Sequence, residues 1–160
     1  MLVMYSNINM KYFQIFLFVL VTTTAAIAQQ KSPAEYQAMK EKKLSEKSAF
    51  QKIIDRELPA TIVYENDYVI AFIPLKTQAP VHYLIVPKKR LNTVNDVTEA
   101  DIMMMGHLFL AAKKVAEKFG VAETGYRLAI NTNRDAGQSE FHLHMHLLGG
   151  EFLGPMANAK

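Results

Sequence analysis

Three histidines at alternate positions near the end of the chain are the residues best placed to carry out chemistry. They are His142, His144 and His146, three of the five histidines in the protein, and single apolar residues separate them. Side chains at alternate positions of a β-strand point to the same face, so a strand here would place the three imidazoles in one row. An imidazole near neutral pH can act as nucleophile, acid, base or metal ligand. The spacing therefore predicts a functional strand.

The polar segment just before the histidines adds groups suited to an anion. Gly137 lets the backbone approach a ligand closely, and consecutive backbone N–H groups can hold an anion. Ser139 adds a hydroxyl, and Asn131 adds a side-chain amide at the end of a predicted strand. Histidines flanked by neutral donors suit a phosphoryl group whose charge shifts during displacement. His82, on an earlier predicted strand, can join the row where the two strands pair.

Residue type and spacing leave three kinds of site open. The row can act as a covalent catalyst at phosphorus, or its histidines can share one zinc or copper ion. Glu140 lies on the same strand face by parity, which keeps the metal site open. The third possibility is a non-catalytic pocket or a structural histidine ladder. Spacing alone does not decide between metal binding and covalent catalysis.

Composition and charge limit the classes of protein that the chain can belong to. A chain of 160 residues, half of them hydrophobic, fits one domain with extensions. The net charge of +3 is too small for a nucleic-acid-binding surface, so we predict no nucleic-acid partner. The absence of cysteine excludes a disulfide framework, a thiol nucleophile and a thiolate zinc site.

Residues 1–28 have the three parts of a secretory signal peptide. Lys11 supplies the positive charge, an apolar run follows over 12–21, and Ala26 and Ala28 give the small-x-small pattern of a cleavage site. The apolar core of about ten residues is shorter than the roughly 20 of a membrane-spanning helix. We therefore predict cleavage after Ala28, export to the periplasm or the medium, and no stable membrane insertion of the mature protein.

Residues 29–48 form a polar, lysine-rich extension before the globular part of the chain, 49–160. Ser32 to Glu35 is a capping-box pattern with proline at the first helical position. Few apolar residues follow it, so we predict a solvated spacer with partial helix.

The globular part has an α+β pattern. A short helix around Phe50 to Ile54 ends before Pro59, and a long central helix begins at the capping pattern Thr98–Asp101 and ends at Gly120. His107 lies in the long helix, and we interpret it as structural. The strands, rich in β-branched and aromatic residues, are predicted at Thr61–Glu65, Tyr68–Ile73, Val81–Val86, Tyr126–Asn131 and the histidine row. Short links between most of them favour an antiparallel sheet.

Several separated motifs resemble one known family. The string HLHMHLLGG resembles the signature of the histidine triad (HIT) superfamily. The stretches AFQKIIDRELPA, QAPVHYLIVPKK, GYRLAIN and AGQSEF occur in the family's order, with GHL in the central helix. Together they are similar to the purine nucleoside phosphoramidase branch, often called Hint, over roughly residues 49–152.

The resemblance implies a fold and a chemistry. The fold would be a five-stranded antiparallel sheet with two helices, and two subunits would join into one ten-stranded sheet. The enzyme would hydrolyse nucleoside 5′-phosphoramidates or related nucleotidyl conjugates without a metal or other cofactor. His144 would attack the α-phosphorus to form a nucleotidyl-histidine intermediate. His82 and His142 would fix its tautomer, and His146 would contact the phosphate.

The resemblance also implies a set of binding residues. Ser139 would bond to the phosphate or the leaving amine, and Gly137 would offer its backbone N–H. The other implied substrate-binding residues are Gln138, Asn131, Phe50, Ile53 and Leu75, of which the last three would hold the nucleobase.

This chain departs from the family's pattern at two positions. Pro74 stands where an acidic residue usually binds the ribose hydroxyls, and Arg90 stands where a histidine usually follows PKK. Losing a buried, charge-accepted hydrogen bond costs about 1.5–3 kcal/mol. The alternative function is therefore a nucleotide- or phosphate-binding protein with weak or no catalysis.

Overall fold

The computed structural model describes residues 31–155, so the predicted signal peptide and its cleavage site at Ala28 lie outside the described residues. The described residues form three α-helices, α1 (Pro33–Leu44), α2 (Ala49–Ile54) and α3 (Ile102–Lys118). Their five β-strands are β1 (Ile62–Glu65), β2 (Val69–Phe72), β3 (Val81–Pro87), β4 (Tyr126–Ala129) and β5 (Met145–Gly149). Within residues 31–155, no helix is both long and apolar enough to cross a membrane.

The five strands form one antiparallel sheet in the order β1-β2-β3-β5-β4. This confirms the predicted α+β class and the five-stranded antiparallel sheet. Strand β3 is central, and its register places His82 opposite Leu148 and Leu84 opposite His146. Two histidine-bearing strands, far apart in sequence, are therefore direct neighbours.

Helix α3 covers one face of the sheet and builds the larger core. Its buried residues pack with the apolar residues that alternate with the histidines, Leu143, Met145 and Leu147. The helix follows a 3-10 turn in which Asp101 accepts hydrogen bonds from the backbone N–H (3.0 Å) and hydroxyl (2.9 Å) of Thr98. These bonds and the Lys89 ammonium, first among the causes, lower the pKa of Asp101 to about 2. The predicted capping pattern therefore fixes where the long helix starts.

Helix α2 covers the other face with a smaller core. Ile53 packs there with Ile70, Phe72, Leu84 and Val86, and Phe50 lies against this group. Ser48 precedes the helix and caps it, since its side chain accepts the backbone N–H of Gln51 at 3.0 Å. The start of α2 is thus held beside the face of the sheet that carries the histidines.

Helix α1 lies in the extension that was predicted as a solvated spacer. That prediction is wrong at Tyr36, which is buried and packs edge-on against Phe141 at 5.9 Å between ring centroids. Lys43 pairs with Glu140 at 2.5 Å, and the Arg90 guanidinium donates to the carbonyl of Glu46 at 3.1 Å. Most other residues of the helix are exposed, which agrees with its polar composition. Among the described residues, 33–155 belong to one compact unit.

The predicted histidine strand is wrong at its start, because β5 begins only at Met145. The pairing of Met145 with Ile85 would bring Leu143 opposite Pro87, which has no N–H to donate. The carbonyl of Pro87 is engaged by the His142 ring at 2.8 Å, and the N–H of Leu143 donates to Leu91 at 2.6 Å. His142 and His144 therefore lie in the segment just before the strand. The predicted alternation of side chains nevertheless persists through it.

Candidate active site

His144 presents a free ring nitrogen. Its Nδ1 lies 2.8 Å from the backbone carbonyl of His142. A carbonyl oxygen can only accept, so Nδ1 carries the proton and Nε2 keeps its lone pair. The ring is buried beside Phe50, with 5.0 Å between ring centroids, and burial lowers its pKa. A neutral imidazole with one fixed tautomer has the electronic form that a nucleophile needs.

His82 and His146 form a hydrogen-bonded pair whose protons can also be assigned. The backbone N–H of Gln78 donates to Nδ1 of His82 at 3.1 Å, so the proton of neutral His82 lies on Nε2. That nitrogen donates to Nδ1 of His146 at 2.9 Å, which leaves the His146 proton on its own Nε2. Burial, with smaller contributions from His144 and His82, lowers the pKa of His146 to about 4. His146 therefore supplies a neutral N–H donor, and its ring centroid lies 5.0 Å from that of His144.

His142 is fully buried and bonded at both ring nitrogens. Its Nε2 donates to the carbonyl of Pro87 at 2.8 Å, so Nδ1 must accept, and it lies 3.0 Å from the Ser48 hydroxyl. Burial, the largest cause, lowers its pKa, and the positive charge of Arg90 lowers it further. Sequence reasoning missed Ser48. Its only signal was its position as a serine immediately before the short helix, typical of an N-cap.

Gly137 forms a turn in the loop before the histidines. Its N–H donates to the carbonyl of Arg134 at 2.9 Å, and the glycine has φ +73. This left-handed backbone favours glycine, and the role of the N–H in binding substrate stays a prediction.

Gln138 holds this loop in place with its side chain, and its predicted role in binding substrate stays a prediction. Its buried side chain donates to the carbonyl of Asn92 at 2.7 Å and to that of Glu140 at 3.1 Å. Its side-chain oxygen accepts the N–H of Asn133 at 2.8 Å. The loop is thus tied to the segment that carries the histidines.

The remaining predicted binding residues are only partly brought together. Ser139 is exposed and Asn131 is half-buried. Phe50 lies against His144, whereas Ile53 is buried in the smaller core. Leu75 is fully exposed in the loop after β2, and its predicted role beside Phe50 and Ile53 in holding the nucleobase stays a prediction.

The remaining candidate groups have structural contacts. Glu140, which parity placed with the histidines, pairs with Lys43 at 2.5 Å. In residues 31–155, no three His, Cys, Asp or Glu side chains are grouped so that they could hold a metal ion. His107, interpreted as structural, stacks on Tyr68 at 4.1 Å and contacts Asn66 at 3.2 Å on the surface of α3.

Comparison with known proteins identifies the family. The HIT domain model matches residues 55–153. The chain is 50% identical over 113 residues to the purine nucleoside phosphoramidase of Escherichia coli K12, covering 71% of this chain and 95% of that protein. A HIT family hydrolase from Clostridium thermocellum superposes with a TM-score of 0.67 at 49% identity, covering 69% of this chain and 96% of that structure. One from Legionella pneumophila has a TM-score of 0.65 at 43% identity, covering 67% and 96%.

The chain belongs to the HIT family, and it is a hydrolase of that family. The fold and the histidine motif that the sequence predicted agree with this assignment. The family match begins at residue 55, after helices α1 and α2.

The buried neutral histidines predict how stability depends on pH. Burial lowers the pKa of His146 from 6.5 to about 4. Between these two pH values, this histidine is therefore protonated in the unfolded chain and neutral in the folded chain. Stability is therefore complete above pH 6.5 and falls as the pH approaches 4, by on the order of 2–3 kcal/mol from this residue. Urea unfolding of the wild type and His146→Gln at several pH values measures the effect. The variant should show a flatter dependence, and equal slopes would contradict the assignment.

Proposed function

We propose that this enzyme hydrolyses nucleoside 5′-phosphoramidates or related nucleotidyl conjugates through a covalent nucleotidyl-histidine intermediate. The observation that carries the proposal is the state of His144, whose Nδ1–H is held by a carbonyl while Nε2 keeps its lone pair. Its 50% identity to the purine nucleoside phosphoramidase of Escherichia coli supports the choice of substrate class.

The first step is attack by Nε2 of His144 on the α-phosphorus. The new N–P bond forms as the bond from phosphorus to the substrate nitrogen breaks, and that nitrogen gains a proton from solvent to leave as an amine. The His144 ring becomes a positively charged, phosphorus-bonded imidazole whose Nδ1–H stays on the His142 carbonyl. That bond strengthens as the charge develops, which lowers the barrier.

His146 stabilises the charge on the phosphoryl oxygens. Its Nε2–H is the one ring donor of the His82–His146 pair that is not used inside the pair. A fixed donor in a buried site costs no reorganisation as charge builds up. Exposed Ser139 and half-buried Asn131 are the proposed further contacts to the phosphate or the amine.

The second step is hydrolysis of the intermediate. Water attacks phosphorus, the N–P bond breaks, and Nε2 of His144 recovers its lone pair as the nucleoside monophosphate leaves. The water gives up its protons to the products and to solvent. The same imidazole is thus nucleophile in one step and leaving group in the next.

One structural feature favours the alternative of a nucleotide- or phosphate-binding protein. The loop after β2 has Pro74 where a carboxylate would hold ribose, and Leu75 beside it is fully exposed. A protein of this kind would bind nucleotide in calorimetry without turnover and without a covalent adduct.

We expect His144→Ala to abolish both turnover and the covalent adduct. Removing the nucleophile should lower kcat on the order of a thousandfold or more. Intact-mass analysis after mixing with an adenosine 5′-phosphoramidate should show one nucleotidyl group on the wild type and none on the variant. His107→Ala, a histidine outside the row, is the matched control and should keep both. Equal turnover in wild type and His144→Ala contradicts the nucleophile, and binding without turnover in the wild type supports the alternative.

A homodimer is the proposed assembly. Strand β4 is an edge strand, so one of its sides has no partner strand within the described residues. Helix α3 exposes a stripe of four large apolar residues, two adjacent pairs that lie about two helical turns apart, Ile102, Met103, Phe109 and Leu110. An unpaired strand edge and an exposed apolar stripe are both surfaces that a second copy can cover.

Charge on the apolar stripe should dissociate the dimer. We expect the wild type to have twice the mass of one chain in light scattering after size exclusion, and Phe109→Glu to have the mass of one chain. Leu58→Glu, at an exposed apolar residue outside the stripe, should leave the mass unchanged. A wild type that stays monomeric at micromolar concentration would overturn the proposed assembly.

Export is proposed from residues 1–28. Because Ala26 and Ala28 provide the small residues before the cleavage site, we expect the full chain expressed in a Gram-negative host to accumulate in the periplasm beginning at Gln29. Ala28→Asp should block cleavage. Mass analysis of the cell fractions measures both outcomes, and a wild-type chain that keeps Met1 or Met10 would contradict export.

A further inference from the structure

Ser48 occupies the junction between the N-terminal extension and the family domain. Its side chain is buried, with 4% of the residue exposed, and its hydroxyl is used twice. The oxygen accepts the N–H of Gln51 at 3.0 Å as the cap of α2, and it lies 3.0 Å from Nδ1 of His142. One hydroxyl therefore joins the start of a helix to the first histidine of the row.

The direction of the hydrogen bond between Ser48 and His142 follows from its neighbours. The carbonyl of Pro87 takes the Nε2 proton of His142, so Nδ1 has only a lone pair to offer when the ring is neutral. The hydroxyl of Ser48 must donate to it. Both ring nitrogens of a fully buried imidazole are thus bonded, which fixes the ring and the backbone that carries it.

The backbone of His142 in turn fixes the proposed nucleophile. Its carbonyl accepts the Nδ1–H of His144 at 2.8 Å, which selects the tautomer with a free Nε2. We propose that Ser48 is a positioning residue for the reaction, acting on His144 through His142 without touching the substrate. This inference rests on the proposed function of His144 as the nucleophile.

The extension holds Ser48 where the bond requires it. The Arg90 guanidinium donates to the carbonyls of Glu46 at 3.1 Å and Lys43 at 3.5 Å, on the segment that leads into Ser48. Lys43 pairs with Glu140, two residues before His142. The segment before α2 is therefore held against the domain by two residues, Arg90 and Glu140.

The charges around His142 also favour its neutral form. Arg90 opposes a positive charge on the ring, as does His144, whereas Glu140 favours one and is itself paired with Lys43. Without the hydroxyl, the Nδ1 lone pair would be buried with no donor, so the neutral ring would lose its stabilising partner. The pKa of His142 would rise in such a variant, and only the hydrogen bond to the carbonyl of Pro87 would orient its ring.

Three substitutions of Ser48 separate positioning from helix capping. Ser48→Ala removes both functions, whereas Ser48→Gly removes the hydroxyl but costs the helix little, because glycine is a tolerated cap. Ser48→Thr keeps the hydroxyl. We expect kcat to fall roughly tenfold to a hundredfold in both the alanine and the glycine variants, with little change in KM, and to stay within about threefold of wild type in the threonine variant.

The matched control is a cap elsewhere in the chain. Thr98 caps the turn before α3, and its hydroxyl donates to Asp101. Thr98→Ala removes this cap and should reduce stability without changing kcat. If Ser48→Gly turns over substrate like the wild type, capping explains the residue and the positioning role is overturned. A change confined to KM would overturn it as well.

Nitrogen-15 NMR of the imidazoles gives a readout that needs no turnover. In the wild type we expect the Nε2–H form of His142 and the Nδ1–H form of His144. In Ser48→Gly the His142 pKa should rise and His144 should lose its single tautomer, whereas Thr98→Ala should resemble the wild type. An unchanged His144 tautomer in Ser48→Gly would overturn the inference. An inactive wild type with the expected tautomers would instead count against the proposed function alone.

Discussion

The hydrogen bond from Nδ1 of His144 to the carbonyl of His142, at 2.8 Å, is the interaction on which the site depends. It assigns the proton to one ring nitrogen and leaves the other free, which spacing on a strand could not do. The two residues lie just before β5, outside the strand ladder. Pro87 produces that arrangement, since it offers a carbonyl to His142 and no N–H to a neighbouring strand.

Burial gives the histidines their chemical state. The apolar residues that alternate with the histidines pack into the core under α3. This packing places the imidazoles on the opposite face of the sheet, where His144 lies beside Phe50. Desolvation is the largest cause of the lowered pKa of each histidine in the group, His82, His142, His144 and His146. The packing that stabilises the sheet therefore also keeps four neighbouring imidazoles neutral, which hydrogen bonding among them requires.

The N-terminal extension has become part of the domain. Its composition is that of a solvated segment, yet Tyr36 packs on Phe141 and Lys43 pairs with Glu140. Arg90, which departs from the family pattern, binds carbonyl groups of this same segment. The Arg90 guanidinium thus connects the domain to the segment around the end of α1, which precedes the residues that the HIT domain model matches, 55–153.

Local periodicity and capping residues were sufficient to predict the α+β class, the five strands, the long helix and the histidine row. The family motifs added the order of roles along the row. Three features depend on how the folded chain packs and have no local signal: Gln138 supports the loop, the Gly137 N–H is used in a turn, and Leu75 is fully exposed. The tertiary structure also revealed Ser48, which lies 94 positions from its partner His142. Such a contact leaves no local pattern, because it forms only when folding brings the start of α2 beside the segment before β5.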